Sequence, residues 1–379
     1  MELPSYFDDF LSEIRPRKDQ LVALRSGHKT LRKRLREDEG LAPIYVSDFL
    51  QGSYRRSTAV RPLGDEKADV DVIVVTNLDS KKLTPDEALD LFEPFLNTHY
   101  KGQWTRNGRS IGIELVTFKL DLVVTAAPSE VQKELYKSAS IRTLQGIEDL
   151  KEWRLVPSWP DSDSESAPGY FTRLTLAKSE PEWKLEPLLI PDRDAEEWQP
   201  TNPIAQIKWT WDKNKICNSY YVSVVKAIKW WRRQYEKPKY PKSYPLEHLI
   251  GDCCPDDLSS VAAGVTGTLE SIVAKYQSYA DSGQVPFLCD HGVDQDVFKR
   301  VTPEDFADFC SLVKDAAVIA RQALDSRSEA ESAAAWRSLF GGRFPEGPDE
   351  GEKGGPQGGS QGGFTPRSGP SIITGGRFA

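Results

Sequence analysis

Apolar residues recur at helical spacing from the start of the chain. Tyr6, Phe7, Phe10, Leu11 and Ile14, then Leu21, Leu24 and Leu31, predict one long charged helix over about Tyr6 to Glu37. The period then shortens. Ile44 to Leu50 reads as a strand ending at Gln51-Gly52-Ser53, and Asp69 to Thr76 as a second strand. Thr84 stands before Pro85-Asp86-Glu87, an N-cap followed by a first-turn proline, so a helix is predicted from there to about Tyr100. Arg109 to Val116 and Lys119 to Thr125 predict two further strands. Trp153 to Pro203, rich in Pro, Ser and acids, predicts long loops with short strands. Beyond it the pattern is helical. Ile204 to Gln234 predicts two helices broken near Asn214, and Tyr244–Asp252, Leu258–Ala280, Thr302–Asp325 and Glu329–Leu339 predict four more. The class is α+β, with a mixed front half over 1–202 and a helical lobe over 203–340.

Composition adds limits to this picture. The 379 residues are long enough for two lobes, and 39% hydrophobic with 28% charged is ordinary for a soluble globular chain. A net charge of −8 argues against non-specific nucleic-acid binding, although a local basic pocket is compatible with it. The first residues, MELPSYFDDFLSEIRPRKDQ, lack the apolar core of a signal peptide. No apolar run approaches the ~18 residues of a membrane span. Five irregularly spaced Cys fit free thiols in a reducing cytoplasm. Gly341 to Ala379 holds 13 of the 27 Gly, and such a segment buries too little apolar area to offset its ordering entropy, so a disordered tail is predicted.

Candidate chemistry centres on QGSYRRSTAVRPLGDEKADVDVIVV, residues 51–75. Side chains alternate along a strand, so Asp69 and Asp71 share a face while Val70 and Val72 take the other. Two such carboxylates repel one another unless a divalent cation lies between them. In the following strand, FKLDLVVTA, Leu120 and Leu122 face a core and Asp121 lies opposite. If these strands pair, three hard oxygen donors converge, a set suited to Mg2+ (two ions, with Mn2+ as substitute) that takes its remaining ligands from water and substrate phosphates. Gly52 at a strand end lets backbone approach a phosphate. Ser53 offers a hydroxyl and an N–H, and a helix starting there would add its dipole. Arg55, Arg56 and Arg61 add positive charge. Gly-Ser, then Asp-x-Asp, then an acid on a later strand predicts metal-dependent nucleotidyl transfer.

GSYRRSTAVRP, DVDVIVV and LDLVV resemble the polymerase-β-type core of the cGAS/DncV-like nucleotidyltransferases (CD-NTases), which are similar in fold to 2′-5′ oligoadenylate synthases. NPIAQIKWTWDKNKICNSYY, KSYPLEHLIG and RVTPEDF extend the resemblance through almost the whole chain, toward the D clade. It implies a polymerase-β-type sheet with an oligoadenylate-synthase-like helical lobe. The family's metal triad maps onto Asp69, Asp71 and Asp121, and its phosphate-binding pair onto Gly52 and Ser53. Lys208 looks like the lid-helix Lys that meets the triphosphate, and Ser219-Tyr220 like the pair that meets phosphate and base. The implied activity joins ATP and GTP into a cyclic oligonucleotide, a 3′-5′-linked ring of two AMP and one GMP. A 3′-hydroxyl attacks an α-phosphate, with Asp121 helping to remove its proton, and pyrophosphate leaves. The setting implied is bacterial anti-phage signalling (CBASS), in which the product activates an effector, commonly a nuclease. The ending Thr-Gly-Gly-Arg-Phe-Ala looks like a tail that an E1/E2-like ligase conjugates through Ala379.

His248, Cys253, Cys254, Cys289 and His291 raise a zinc reading, but no C-x-x-C pair exists and buried free thiols are the expectation. Cys217 and Cys310, like Trp230 and Trp231, read as helix core. A linear oligoadenylate synthase, or an adenylyltransferase acting on RNA, protein or an antibiotic, is the competing class, and an inactive scaffold with a functional tail the third. The helical lobe favours the cyclic product, and the intact trio of acids speaks against the scaffold.

Overall fold

A computed structural model describes residues 1–140 and 186–348. Among the described residues lies one seven-stranded sheet. Strands β1 (Tyr45–Gln51), β2 (Ala68–Thr76), β3 (Trp104–Arg106), β4 (Ile111–Glu114) and β5 (Phe118–Ala126) stand in the order β1-β2-β5-β4-β3. The β2–β5 pair is parallel and its neighbours are antiparallel. Strand β6 (Leu188–Asp192) touches the end of β5 and pairs with β7 (Glu197–Thr201).

The sequence of β2 sets the layers. Ala68, Val70, Val72 and Val74 take one face, and all are buried. On the other face Asp69 and Asp71 come first, and Ile73 and Val75, both buried, follow. Strand β5 repeats the pattern, with Leu120, Leu122 and Val124 on the first face and Asp121 ahead of Val123 on the second. The first face is apolar throughout and receives α2 (Lys18–Glu37) through Leu24, Leu31 and Leu35. Contact is close: a Cβ on Gly27 would lie 2.2 Å from the Phe118 ring. The second face is apolar only beyond the acids. There α6 (Glu130–Ser140) covers it with Tyr136, stacked on Phe49 at 5.6 Å. Each fully buried aliphatic side chain contributes about 1.5–3 kcal/mol, so the covered end fixes the register that leaves the acids open.

The single helix predicted over Tyr6 to Glu37 is two, α1 (Pro4–Ile14) and α2. Pro16 is the cause. Its ring excludes the helical conformation for the residue before it, and Arg15 is extended at φ −77, ψ 157. The break sends α1 away from the sheet. The helix predicted from Thr84 is also two, α4 (Pro85–Asp90) and α5 (Glu93–His99), with Pro94 in the first turn of the second. Its start is as expected: the Thr84 hydroxyl accepts the Glu87 N–H and the Glu87 carboxylate accepts the Thr84 N–H. The short β3 was not foreseen.

The helical half comprises α7 (Pro203–Ile216), α8 (Tyr221–Arg233), α9 (Ser243–Cys253), α10 (Val261–Asp281), α11 (Pro303–Asp325) and α12 (Glu329–Phe340). The break between α7 and α8 falls at 217–220, just beyond Asn214. Helix α1 docks here, with Phe7 5.0 Å from the Trp336 ring and Phe10 stacked on Phe340 at 4.5 Å. Phe344, which composition assigned to the tail, is fully buried in the same cluster, and the compact unit reaches Gly347. The remaining tail expectation, 349–379, and the loops expected over 153–185 lie outside the described residues.

Candidate active site

Asp71 and Asp121 are register partners across the parallel β2–β5 pair, so their side chains leave the same face. Asp69 joins them from two residues earlier, and one carboxylate oxygen of each lies within 4.8 Å of the others. This is the only group of three or more His, Cys, Asp or Glu side chains so gathered among the described residues. Burial pushes the Asp71 carboxyl up to about 8, and the charges of Asp69 and Asp121 add to the effect. Asp121 is raised by burial and then by Asp69, with hydrogen bonds from Ser110 and Asn107 opposing. Three carboxylates crowded in this way favour a bound cation, and an all-oxygen set fits a hard divalent ion.

The glycine turn is fitted to the same acids. Gln51, the last residue of β1, pairs with Asp71. Gly52 then turns with φ +73, and a Cβ there would sit 1.7 Å from Asp71 Oδ2. Any other residue would strain the turn and displace the carboxylate. The helix expected after it, α3 (Gly52–Arg55), is a single turn, so no long-helix dipole points at the site. The Ser53 carbonyl accepts the N–H groups of Thr58 and Ala59 at 2.9 and 3.1 Å, folding the loop back on itself. Arg55 is buried.

Two of the arginines expected to serve a phosphate brace the loop instead. Arg56 Nη2 meets Glu247 Oε2 at 2.9 Å, and the other oxygen accepts Lys229 Nζ at 2.6 Å and Thr58 Oγ1 at 3.0 Å. Burial alone would raise the Glu247 carboxyl; Lys229 and Arg56 outweigh it and bring it down to about 2. Arg61 ties to the end of α1 through its N–H to Ile14 O, at 2.5 Å, and its Nε to Arg15 O, at 3.1 Å. Of the two, Arg56 still reaches Asp71 with its charge, which lowers that carboxyl in part.

Lys208 is exposed on α7 and pairs with Asp212 one turn on. Ser219 is half-buried and follows Asn218; both are left-handed, at φ 68 and 51. Such residues cost on the order of 1–3 kcal/mol each and persist where their surroundings hold them. Here the Ser219 N–H donates to Asn214 O at 2.7 Å, and Asn218 Nδ2 to Leu258 O at 3.1 Å. Tyr220 is partly buried against the helical core, and Trp230 and Trp231 lie inside it. Ala379 is outside the described residues. Among the described residues the zinc reading finds no assembled ligand set: His248 stacks on His291 at 4.1 Å, and all five Cys are free, with Cys217, Cys253, Cys254 and Cys310 buried as expected and Cys289, against expectation, exposed.

Asn107 and Ser110 were missed. They flank the turn between β3 and β4, and both donate to Asp121 Oδ1, at 3.1 and 3.2 Å. The dipeptide Asn107-Gly108 is a hairpin signal that could have located the turn, though not its reach to the acid.

Acids gathered at the open end of a parallel strand pair, against a left-handed glycine turn, define a nucleotidyltransferase. Residues 1–136 match the family model for the Second Messenger Oligonucleotide or Dinucleotide Synthetase domain. The chain is 46% identical over 365 residues to a cyclic AMP-AMP-GMP synthase of Enterobacter hormaechei subsp. hoffmannii (strain UCI 50), covering 93% of this chain and 94% of that one. It is 31% identical to a cyclic AMP-AMP-AMP synthase of Acinetobacter sp. (strain ATCC 27244 / 9458), with 91% and 86% covered. A solved structure of the Bradyrhizobium diazoefficiens CD-NTase CdnG in complex with GTP superposes with a TM-score of 0.63 over 90% of this chain and 96% of that one; at 12% identity the likeness is one of fold. The chain belongs to the CD-NTase family of cyclic oligonucleotide synthases.

Proposed function

We propose that this chain makes cyclic AMP-AMP-GMP from ATP and GTP, as a second messenger in CBASS anti-phage defence. The observation that carries the reading is the trio Asp69, Asp71 and Asp121, gathered within 4.8 Å beside Gly52. The 46% identity to a synthase of that product supports the choice of bases. The trio would hold Mg2+, which supplies positive charge against the triphosphate and the attacking oxygen. Gly52 brings the backbone beside the phosphates, and Ser53 offers its N–H and hydroxyl. Lys208 leaves Asp212 to meet the triphosphate, Ser219 meets phosphate, and Tyr220 meets the base. Arg55 adds charge behind the loop. A 3′-hydroxyl attacks an α-phosphate, its proton passes to Asp121, and pyrophosphate leaves. Two such steps build a linear trimer, and a third, within the molecule, closes the ring with a third pyrophosphate. Positioning supplies most of the rate.

The test is incubation with ATP, GTP and Mg2+, then phosphatase and mass analysis. A ring has no terminal phosphate to lose; a linear oligoadenylate or an adenylylated acceptor would replace this reading with the competing one. Asp69→Asn with Asp71→Asn is expected to keep the fold and abolish product, and normal turnover by that variant would end the proposal. Among the described residues no helix is long and apolar enough to cross a membrane, and a cytoplasmic enzyme acting on a nuclease effector through its product fits the reading. The small terminal residue after Gly375-Gly376-Arg377-Phe378 supports conjugation through Ala379 by an E1/E2-like ligase. Mass spectrometry after co-expression with such a ligase is expected to find the adduct at Ala379, and an unmodified tail would refute it.

A further inference from the structure

We infer that Asn107 and Ser110 are positioning residues that decide which oxygen of Asp121 the site receives. This rests on the reading of the acid trio as a cation site. A carboxylate oxygen has two lone-pair directions. Both on Asp121 Oδ1 are occupied, one by Asn107 Nδ2 at 3.1 Å and one by Ser110 Oγ at 3.2 Å. Asn107 Nδ2 also lies 3.2 Å from Ser110 Oγ, so its second hydrogen goes to the serine oxygen and the serine proton is directed to Asp121. The network closes on itself and leaves Oδ2 as the oxygen offered to the cation and substrate.

The surrounding chain is arranged to keep it so. Gly112 pairs with Asp121 across β4 and β5, and a Cβ there would come within 3.0 Å of Asn107 Nδ2. A side chain at this position would crowd the amide where it meets its acceptor. The turn itself is closed by the Asn107 N–H to Ser110 O at 2.9 Å, and Arg109 Nε anchors it to Asp192 Oδ2 at 2.7 Å. Asp192 is buried at the end of β6, so the turn is fixed to the sheet rather than free to swing. Groups that orient a metal ligand in this way typically change cation affinity about 10–100-fold when removed.

The experiment titrates Mn2+ into the full chain, followed by electron paramagnetic resonance, with a non-hydrolysable ATP analogue present. Asn107→Ala with Ser110→Ala is expected to raise the Mn2+ dissociation constant about tenfold or more, and the Mg2+ needed for half-maximal product formation in step. Its melting temperature in EDTA stays that of the parent. Ser110→Thr, which keeps the hydroxyl, restores parental Mn2+ affinity. If the double variant does not fold, Ser110→Ala alone is titrated, with a several-fold weakening expected. Mn2+ affinity equal to the parent's in whichever of the two alanine variants is titrated overturns the proposal. Asp71→Asn separates the two ideas. If it loses Mn2+ while the Asn107 and Ser110 variants do not, only the positioning role fails; if it too binds normally, the cation site itself fails.

Discussion

Replacing Glu247 with Gln removes the one negative charge between two buried cations. Arg56 and Lys229 are 8% and 4% exposed at their side chains, and Glu247 is 8% exposed. The carboxyl falls from an ordinary 4.5 to about 2. At about 1.4 kcal/mol per unit this amounts to roughly 3–4 kcal/mol of stability at neutral pH. Breaking a buried pair and stranding its partner typically costs about 3–5 kcal/mol, which agrees. The sign follows from a depressed carboxyl: the contribution is whole above about 4.5 and is lost as pH falls toward about 2. Urea unfolding at pH 7 is therefore expected to show Glu247→Gln about 3–4 kcal/mol less stable, with the gap narrowing below pH 4.5. Adding Lys229→Met to the variant should recover part of the loss, because one stranded cation is then gone. Product formation falls too, since Arg56 and Thr58 hold the end of the loop that carries Gly52 and Ser53. A variant within about 0.5 kcal/mol of the parent at pH 7, the ordinary range for surface changes, would refute the reasoning.

The acid trio predicts an opposite pH dependence in a separate window. A folded-state carboxyl raised from 3.8 to about 8, as at Asp71, favours the protonated fold, so metal-free protein should lose melting temperature as pH rises from about 4 to 8. Saturating Mg2+ should cancel that decline and Asp71→Asn should flatten it; a metal-free profile that rises over this window counts against the crowding. Gly52→Ala places a left-handed alanine, at about 1–2 kcal/mol, with its Cβ 1.7 Å from Asp71 Oδ2. The fold survives in circular dichroism, but displacing the carboxylate by about 1 Å is expected to cut the rate about a hundredfold; a rate near the parent's would mean that the turn does not set the acid's position.

What could be read in the sequence was what a short stretch of chain decides. In ADVDVIVVT the shift from alternation to a continuous apolar run marks a strand open on one face at its start and covered at its end, and the acids fall at the open end. The helices of the second half were legible for the same reason, because apolar spacing along one element sets its buried face. Pro16 and Pro94 were equally visible as breakers, yet apolar spacing on both sides made each stretch read as continuous. Long-range pairing was not legible. Glu247 lies 191 residues from Arg56, and nothing around HLIG or YRRST marks either as the other's partner. Asn107 meets Asp121 only because β4 folds back on β5, a register that the spacing of polar residues along β3 and β4 does not disclose. Catalytic acids can be recognised locally, since a face of a strand is a local property. The residues that orient them come from wherever the topology delivers a donor, so the trio and its supports had to be found by different means.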